Sequence, residues 1–192
     1  MAKAVKKDIE CVWLIDSREK NTAYVKDLID SRIGKDGIKF IGHEVVTFKP
    51  NGCSISTGDC GFKYREKGTD NEWIETTFCC EIKRGTDAFS SLHLADNRRR
   101  IQVELNRAKE YGLDFYFIVT NDFESINKAI LKIPKFRNTN THNTNFENFM
   151  KLQEMLLENG FVGSLVSGSD LPWLIRRLAK RHIIKNKLQY KC

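Results

Sequence analysis

From Phe78 the chain runs Phe-Cys-Cys-Glu-Ile-Lys and continues as Arg84-Gly85-Thr86-Asp87. The first six residues read as a β-strand, and successive side chains on a strand point to opposite faces. Glu81 and Lys83 therefore share one face, and Ile82 points the other way. A carboxylate and an ammonium held side by side suit phosphodiester hydrolysis. The acid holds a divalent cation, and the lysine steadies an attacking hydroxide or the charge developing around phosphorus. The triplet also arises by chance in a lysine-rich chain, where a solvated strand edge carries it equally well. Its neighbours decide between the two.

A second strand-borne acid would complete a metal site, and Thr57-Gly58-Asp59 offers one. Asp59 precedes the alternating run Cys60, Phe62, Tyr64. Lys67-Gly68-Thr69-Asp70-Asn71 is a turn signal, and Trp73 to Cys80 runs back. This hairpin, spanning about 55–83, would return Glu81 to the neighbourhood of Asp59. The bland reading of Gly58-Asp59 is a turn dipeptide. A third acid, Asp16, stands in Asp16-Ser17-Arg18-Glu19 directly after the apolar run Val12, Trp13, Leu14, Ile15. It is placed either for chemistry at a strand end or as the N-cap, with Ser17 as the other candidate, of a helix beginning near Asn21.

Taken in order, D-x-R-E at Asp16–Glu19, G-D at Gly58-Asp59 and E-x-K-x-x-x-D from Glu81 to Asp87 resemble the nuclease domain of the XPF family of structure-specific endonucleases. That family belongs to the wider PD-(D/E)xK superfamily. The similarity continues through Asp87–Leu92, through Arg98 to Gln102 as the family's R-x-x-x-Q, through Phe115–Val119, and through Ser167-Gly168-Ser169 with the terminal helix. It covers residues 9 to 182.

The resemblance implies a restriction-endonuclease-like α/β fold with a mixed central β-sheet flanked by helices. It implies a Mg²⁺-dependent endodeoxyribonuclease, with Mn²⁺ able to substitute, that cuts branched or flapped DNA in repair or recombination. Such a chain would act as a homodimer or with a partner subunit. Asp59 and Glu81 would hold the cation with the Ile82 carbonyl, and Lys83 would orient the nucleophilic water. Asp16 would bind the cation or place its water, and Asp87 would sit behind the ligands, holding Lys83. Arg18, Arg98 and Gln102 would face DNA.

The chain departs from the family pattern in three places. Ile82 replaces the arginine of the family's E-R-K, the hairpin is longer, and no helix-hairpin-helix module fits in the ten residues after His182. Two other readings fit the residues. One is a restriction-type or Holliday-junction nuclease of the same superfamily. The other is a non-catalytic DNA-binding subunit, against which the intact Asp59, Glu81 and Lys83 speak.

A chain of 192 residues is most simply one domain, 1–192, with a sizeable core. The longest apolar run, Phe115 to Val119, is far short of a membrane span. Met1-Ala2-Lys3 leads into charge rather than a signal peptide. The six cysteines form no C-x-x-C pair and read as reduced thiols of a cytoplasmic or nuclear protein. The four histidines show no ligand spacing.

The net charge of +7 lies entirely in the last 22 residues, where seven bases follow Asp170 and no acid does. All but Lys191 sit on a helix over about 170–187, capped by Ser169 or Asp170, with Leu171, Leu174, Ile175 and Leu178 as its apolar stripe. Arg176, Arg177, Lys180 and Arg181 lie largely off that stripe, as a solvated face or a phosphate-binding strip.

Elsewhere, strands are expected near 9–15, 38–48, 114–119 and 162–166. Helices are expected near 21–33, 97–111, 122–132 and 146–159. In the second of these Ile101, Leu105 and Ala108 share one face, and Arg98, Gln102 and Asn106 share another that could face the site or solvent. Pro134 to Asn145 reads as a polar loop.

Overall fold

The computed structural model describes residues 7–20, 22–84, 95–120, 150–186 and 188. A seven-stranded mixed sheet organises them. Its strands are β1 (Ile9–Asp16), β2 (Ile38–Val46), β3 (Cys60–Glu66), β4 (Ile74–Glu75), β5 (Phe78–Arg84), β6 (Asp114–Thr120) and β7 (Gly163–Val166). The order is β2-β1-β3-β5-β6-β7, with β4 pairing on β3. β1/β2, β5/β6 and β6/β7 are parallel, and β3 runs antiparallel to both β1 and β5. Among the described residues, the sheet is flanked by helices α1 (Ala95–Glu110), α2 (helical residues 150–158) and α3 (Leu171–Lys185). This is the α/β architecture with a mixed sheet that the sequence implies.

The alternation of β5 sorts the core into two faces. Phe78 and Cys80 join Trp13, Ile15, Phe40 and Phe62 beneath α3, which contributes Leu171, Ile175, Ala179 and Ile183. Trp13 stacks on Phe40 with ring centroids 4.2 Å apart, and its indole N–H donates to the Leu28 carbonyl at 3.1 Å. Cys79 joins Phe115, Phe117 and Val119 on the other face, beneath Ile101, Leu105 and Ala108 of α1 and Leu152 and Leu156 of α2. A cavity left by Leu105→Ala in such a face costs about 2–5 kcal/mol. The buried line of α3 is Leu171-Ile175-Ala179-Ile183, and Leu174 and Leu178 are only partly covered. The stripe is therefore rotated slightly from the one expected.

Two expectations are corrected. The helix expected over 21–33 is only a 3-10 turn, Val25–Leu28, and Ile29 is already extended at φ −84°, ψ 131°. Val25 and Leu28 are buried, and Asp30 exchanges hydrogen bonds with Phe40 on β2, which draws the chain straight after one turn. The hairpin between Asp59 and Glu81 is not one continuous ladder. β3 pairs with β5 only at Cys60–Cys80, and the rest of its edge meets the short β4.

The other expected strands fall where the alternation put them, as does the helix near 97–111. The helix near 122–132, the loop 134–145 and Asp87 lie outside the described residues. Among the described residues no helix is long and apolar enough to cross a membrane.

Candidate active site

Asp16 ends β1, Asp59 precedes β3 and Glu81 lies inside β5, and the antiparallel pairing brings all three to one end of the sheet. The Asp59 backbone ties the strands together. Its N–H donates to the Cys80 carbonyl at 2.7 Å, and its carbonyl accepts from Asp16 N–H at 2.9 Å. Gly58 makes this approach feasible. It adopts φ +75°, and a Cβ there would stand 2.9 Å from the Cys80 carbonyl oxygen and against the Cys79 thiol. Glycine alone takes that conformation without steric cost.

The Asp59 carboxylate accepts the Ile82 N–H at 2.6 Å. Glu81, its side chain only 4% exposed, pairs with Lys83, which is 37% exposed. The shared strand face predicted for these two residues is therefore an ion pair. Burial first, and the Glu81 charge second, push the Asp59 carboxyl up to about 8. Burial opposes the charge on Lys83, but Glu81 and Asp59 outweigh it, and the ammonium is held above its ordinary pKa.

Asp16 is engaged differently. It is 2% exposed, and one oxygen accepts the Arg18 N–H and Nε–H, both at 2.8 Å. The other accepts the Phe48 N–H at 3.1 Å and the Ser56 hydroxyl. Burial works against its charge, yet the Arg18 and Ser56 side chains and the two amides hold its carboxyl below the usual value. Its oxygens are thus occupied by protein donors, and it braces the turn after β1 rather than capping a helix.

Asp59 opens onto a cleft of about 470 Å³ that also carries Glu19 and four bases, Arg18, Lys20, Lys83 and Arg84. Tyr24 also lines it, and its buried hydroxyl has no hydrogen-bond partner among the described residues. The donor set fits a hard divalent cation: two carboxylates near enough for the Glu81 charge to raise the proton affinity of Asp59, with the Ile82 backbone between them. Mg²⁺ characteristically takes one or two carboxylates and fills the rest of its shell with water and substrate oxygens. Among the described residues no group of three or more His, Cys, Asp or Glu side chains is placed to hold a metal ion, so the two carboxylates would depend on water and substrate oxygens to complete the shell.

Sequence reasoning missed one acid. Glu104 on α1 lies within electrostatic reach of both Glu81 and Lys83, and burial with the Glu81 charge pushes its carboxyl up to about 7. It sits three residues after the core residue Ile101 and one before Leu105, so helical spacing was the available signal.

Gln102, on the helix face that could meet the site or solvent, is bonded to Asn159 at 3.1 Å and Asn106 at 2.9 Å. Arg98 is half-buried near the start of α1. The four α3 bases expected to form a phosphate-binding strip divide. Arg176 pairs with Asp30 at 3.4 Å, and Lys180 with Asp36 at 3.3 Å and Asp30 at 3.6 Å. Arg177 lies over the exposed Trp173 ring, and Arg181 shares a surface groove with it. The α3 helix covers the sheet face opposite Glu81 and Lys83.

No protein-family model matches the chain, and no curated protein matches it. Among solved structures it is similar to XPF from Aeropyrum pernix, at 15% sequence identity and a TM-score of 0.48. The similarity covers 89% of this chain and 61% of that one, so this chain spans less than two thirds of that structure.

Proposed function

We propose that this protein is a divalent-cation-dependent endodeoxyribonuclease of the XPF type, hydrolysing phosphodiester bonds on one strand of branched or flapped DNA. The observation that carries this reading is Asp59 within electrostatic reach of the Glu81–Lys83 ion pair, with Asp59 and Lys83 on a cleft that also carries Arg18, Lys20 and Arg84. The sequence resemblance adds the order D-x-R-E, G-D, E-x-K to that geometry.

Asp59 and Glu81, with the Ile82 carbonyl, are the residues that would hold Mg²⁺, and Mn²⁺ is the expected substitute. Bound there, the cation offsets negative charge on the phosphate undergoing attack. Lys83 donates to the attacking water and to the developing charge, for which a lysine held protonated is suited. Arg18 and Arg84, at the cleft mouth, meet the phosphates on either side of the cut. Asp16 serves the site indirectly: it fixes Arg18 and the Phe48–Ser56 connection, which in turn seats Gly58 and Asp59.

The reading is tested by incubating flap, fork, four-way junction and duplex DNA with the protein and Mg²⁺, beside Glu81→Gln. Cleavage concentrated on branched substrates and lost in Glu81→Gln is expected. Equal cutting of plain duplex would favour a restriction-type enzyme. Undiminished cutting by purified Glu81→Gln would remove the assigned site.

A further inference from the structure

Glu81 faces two demands. Its carboxylate pairs with Lys83, and under the nuclease reading the same carboxylate holds a dication. An ammonium beside a dication is repelled by it, and with Glu81 committed to the metal it loses its nearest counter-charge. Lys83 also lies near the end of β5, 37% exposed to solvent, and among the described residues its ion pair is with Glu81.

α1 brings another carboxylate within electrostatic reach of Lys83. Ile101, Leu105 and Ala108 seat the helix on the sheet face that carries Cys79, Glu81 and Lys83. Arg107 fixes its rotation by donating to the Thr57 hydroxyl at 3.1 Å, two residues before Asp59. Glu104, one turn earlier on that flank, is half-buried and within electrostatic reach of Lys83 and Glu81. Arg100 and Arg107, one turn to either side, are its other charged neighbours.

We propose that Glu104 is the counter-ion that keeps Lys83 in place once Glu81 is committed to the cation. It is a positioning residue that acts through Lys83, and this role rests on the nuclease reading. It predicts a coupling that does not require DNA to be cut. In Mg²⁺ titrations followed by calorimetry, Glu104→Gln weakens Mg²⁺ binding about 5- to 10-fold, because Lys83 then competes with the cation for Glu81. In a Lys83→Ala background the same substitution changes Mg²⁺ affinity less than about twofold, there being no ammonium left to hold. Glu104→Asp, which keeps the charge, recovers most of the affinity, and unchanged melting temperatures exclude a folding defect.

Equal weakening in both backgrounds would overturn the proposal, since Glu104 would then act on the cation directly. No weakening in either would also overturn it, as would a wild-type protein that binds no Mg²⁺. Cleavage on the same preparations separates the two levels. Turnover reduced about tenfold at saturating Mg²⁺ with unchanged KM is expected. A protein that binds Mg²⁺, shows the coupling and cuts no DNA would sink the nuclease reading and leave the Glu104–Lys83 pairing standing.

Discussion

The Asp59 carboxylate accepts the backbone N–H of Ile82 at 2.6 Å, so the acid ahead of β3 is locked to the residue that separates Glu81 from Lys83. Ile82 stands where the resembled family carries arginine, and the bond involves its backbone alone. The contact is therefore indifferent to that replacement. One hydrogen bond thus ties the turn ahead of β3 to the stretch of β5 that carries Glu81 and Lys83.

Gly58 sets this turn. Gly58→Ala forces a side chain into φ +75° and against the Cys80 carbonyl. The conformational strain and the overlap together should cost about 2–4 kcal/mol. Thermal denaturation should show a melting temperature lower by roughly 5–15 °C. An unchanged melting temperature would mean the turn can relax without Asp59.

The acids make cation-free stability fall as pH rises. Asp59 and Glu104 hold their protons up to about 8 and about 7, well above ordinary carboxyls. The folded chain thus binds more protons than the unfolded one between the unfolded value of about 4 and those limits, and stability declines across that window. Melting temperature measured in chelator should drop from pH 5 towards pH 8, and Mg²⁺ should flatten the decline. A flat profile without cation would contradict the crowding of charge at this site.

Asp16 behaves in the opposite sense. Its carboxyl is held below the usual value by its donors, so its contribution is present above about pH 4 and lost as pH falls through the depressed folded pKa. Asp16→Asn should destabilise the fold by about 2–3 kcal/mol, the scale of charge-assisted hydrogen bonds removed at a buried site. Turnover per folded molecule should fall far less than in Glu81→Gln. Complete inactivity of a well-folded Asp16→Asn protein would instead place Asp16 on the cation.

The bases of α3 should separate into two functions. Arg177→Gln with Arg181→Gln removes charges that face outward. The slope of log affinity for DNA against log salt should then flatten by about 0.9 for each phosphate no longer neutralised. Arg176→Gln with Lys180→Gln removes partners of Asp30 and Asp36, and should lower thermal stability with little change in that slope. If neither pair changes the slope, DNA lies on the cleft side, over Arg18, Lys20 and Arg84.

What the sequence made legible was local. The period of two placed Glu81 and Lys83 on one face, and the Gly58-Asp59 pair marked a turn that only glycine can make. What it concealed was set by packing between elements. Val25, Leu28 and Ile29 have helical spacing, yet Asp30 reaches across to the Phe40 amide and ends the helix after one turn. Gln102 and Glu104 flank the same buried line of α1. Which of them meets the acids depends on Asn159, distant in sequence, which claims Gln102. The pairing of Arg176 and Lys180 with Asp30 and Asp36 likewise joins segments far apart in the chain.

The lone β3–β5 rung at Cys60–Cys80 has a kinetic consequence. β1, β2 and β3 can zip together on one side and β5, β6 and β7 on the other before the two halves meet. Asp59 belongs to the first half and Glu81 and Lys83 to the second, and the expected order, which hydrogen exchange during refolding would check, closes the rung between them last. Under the nuclease reading, the cation site would be complete only once the two halves dock.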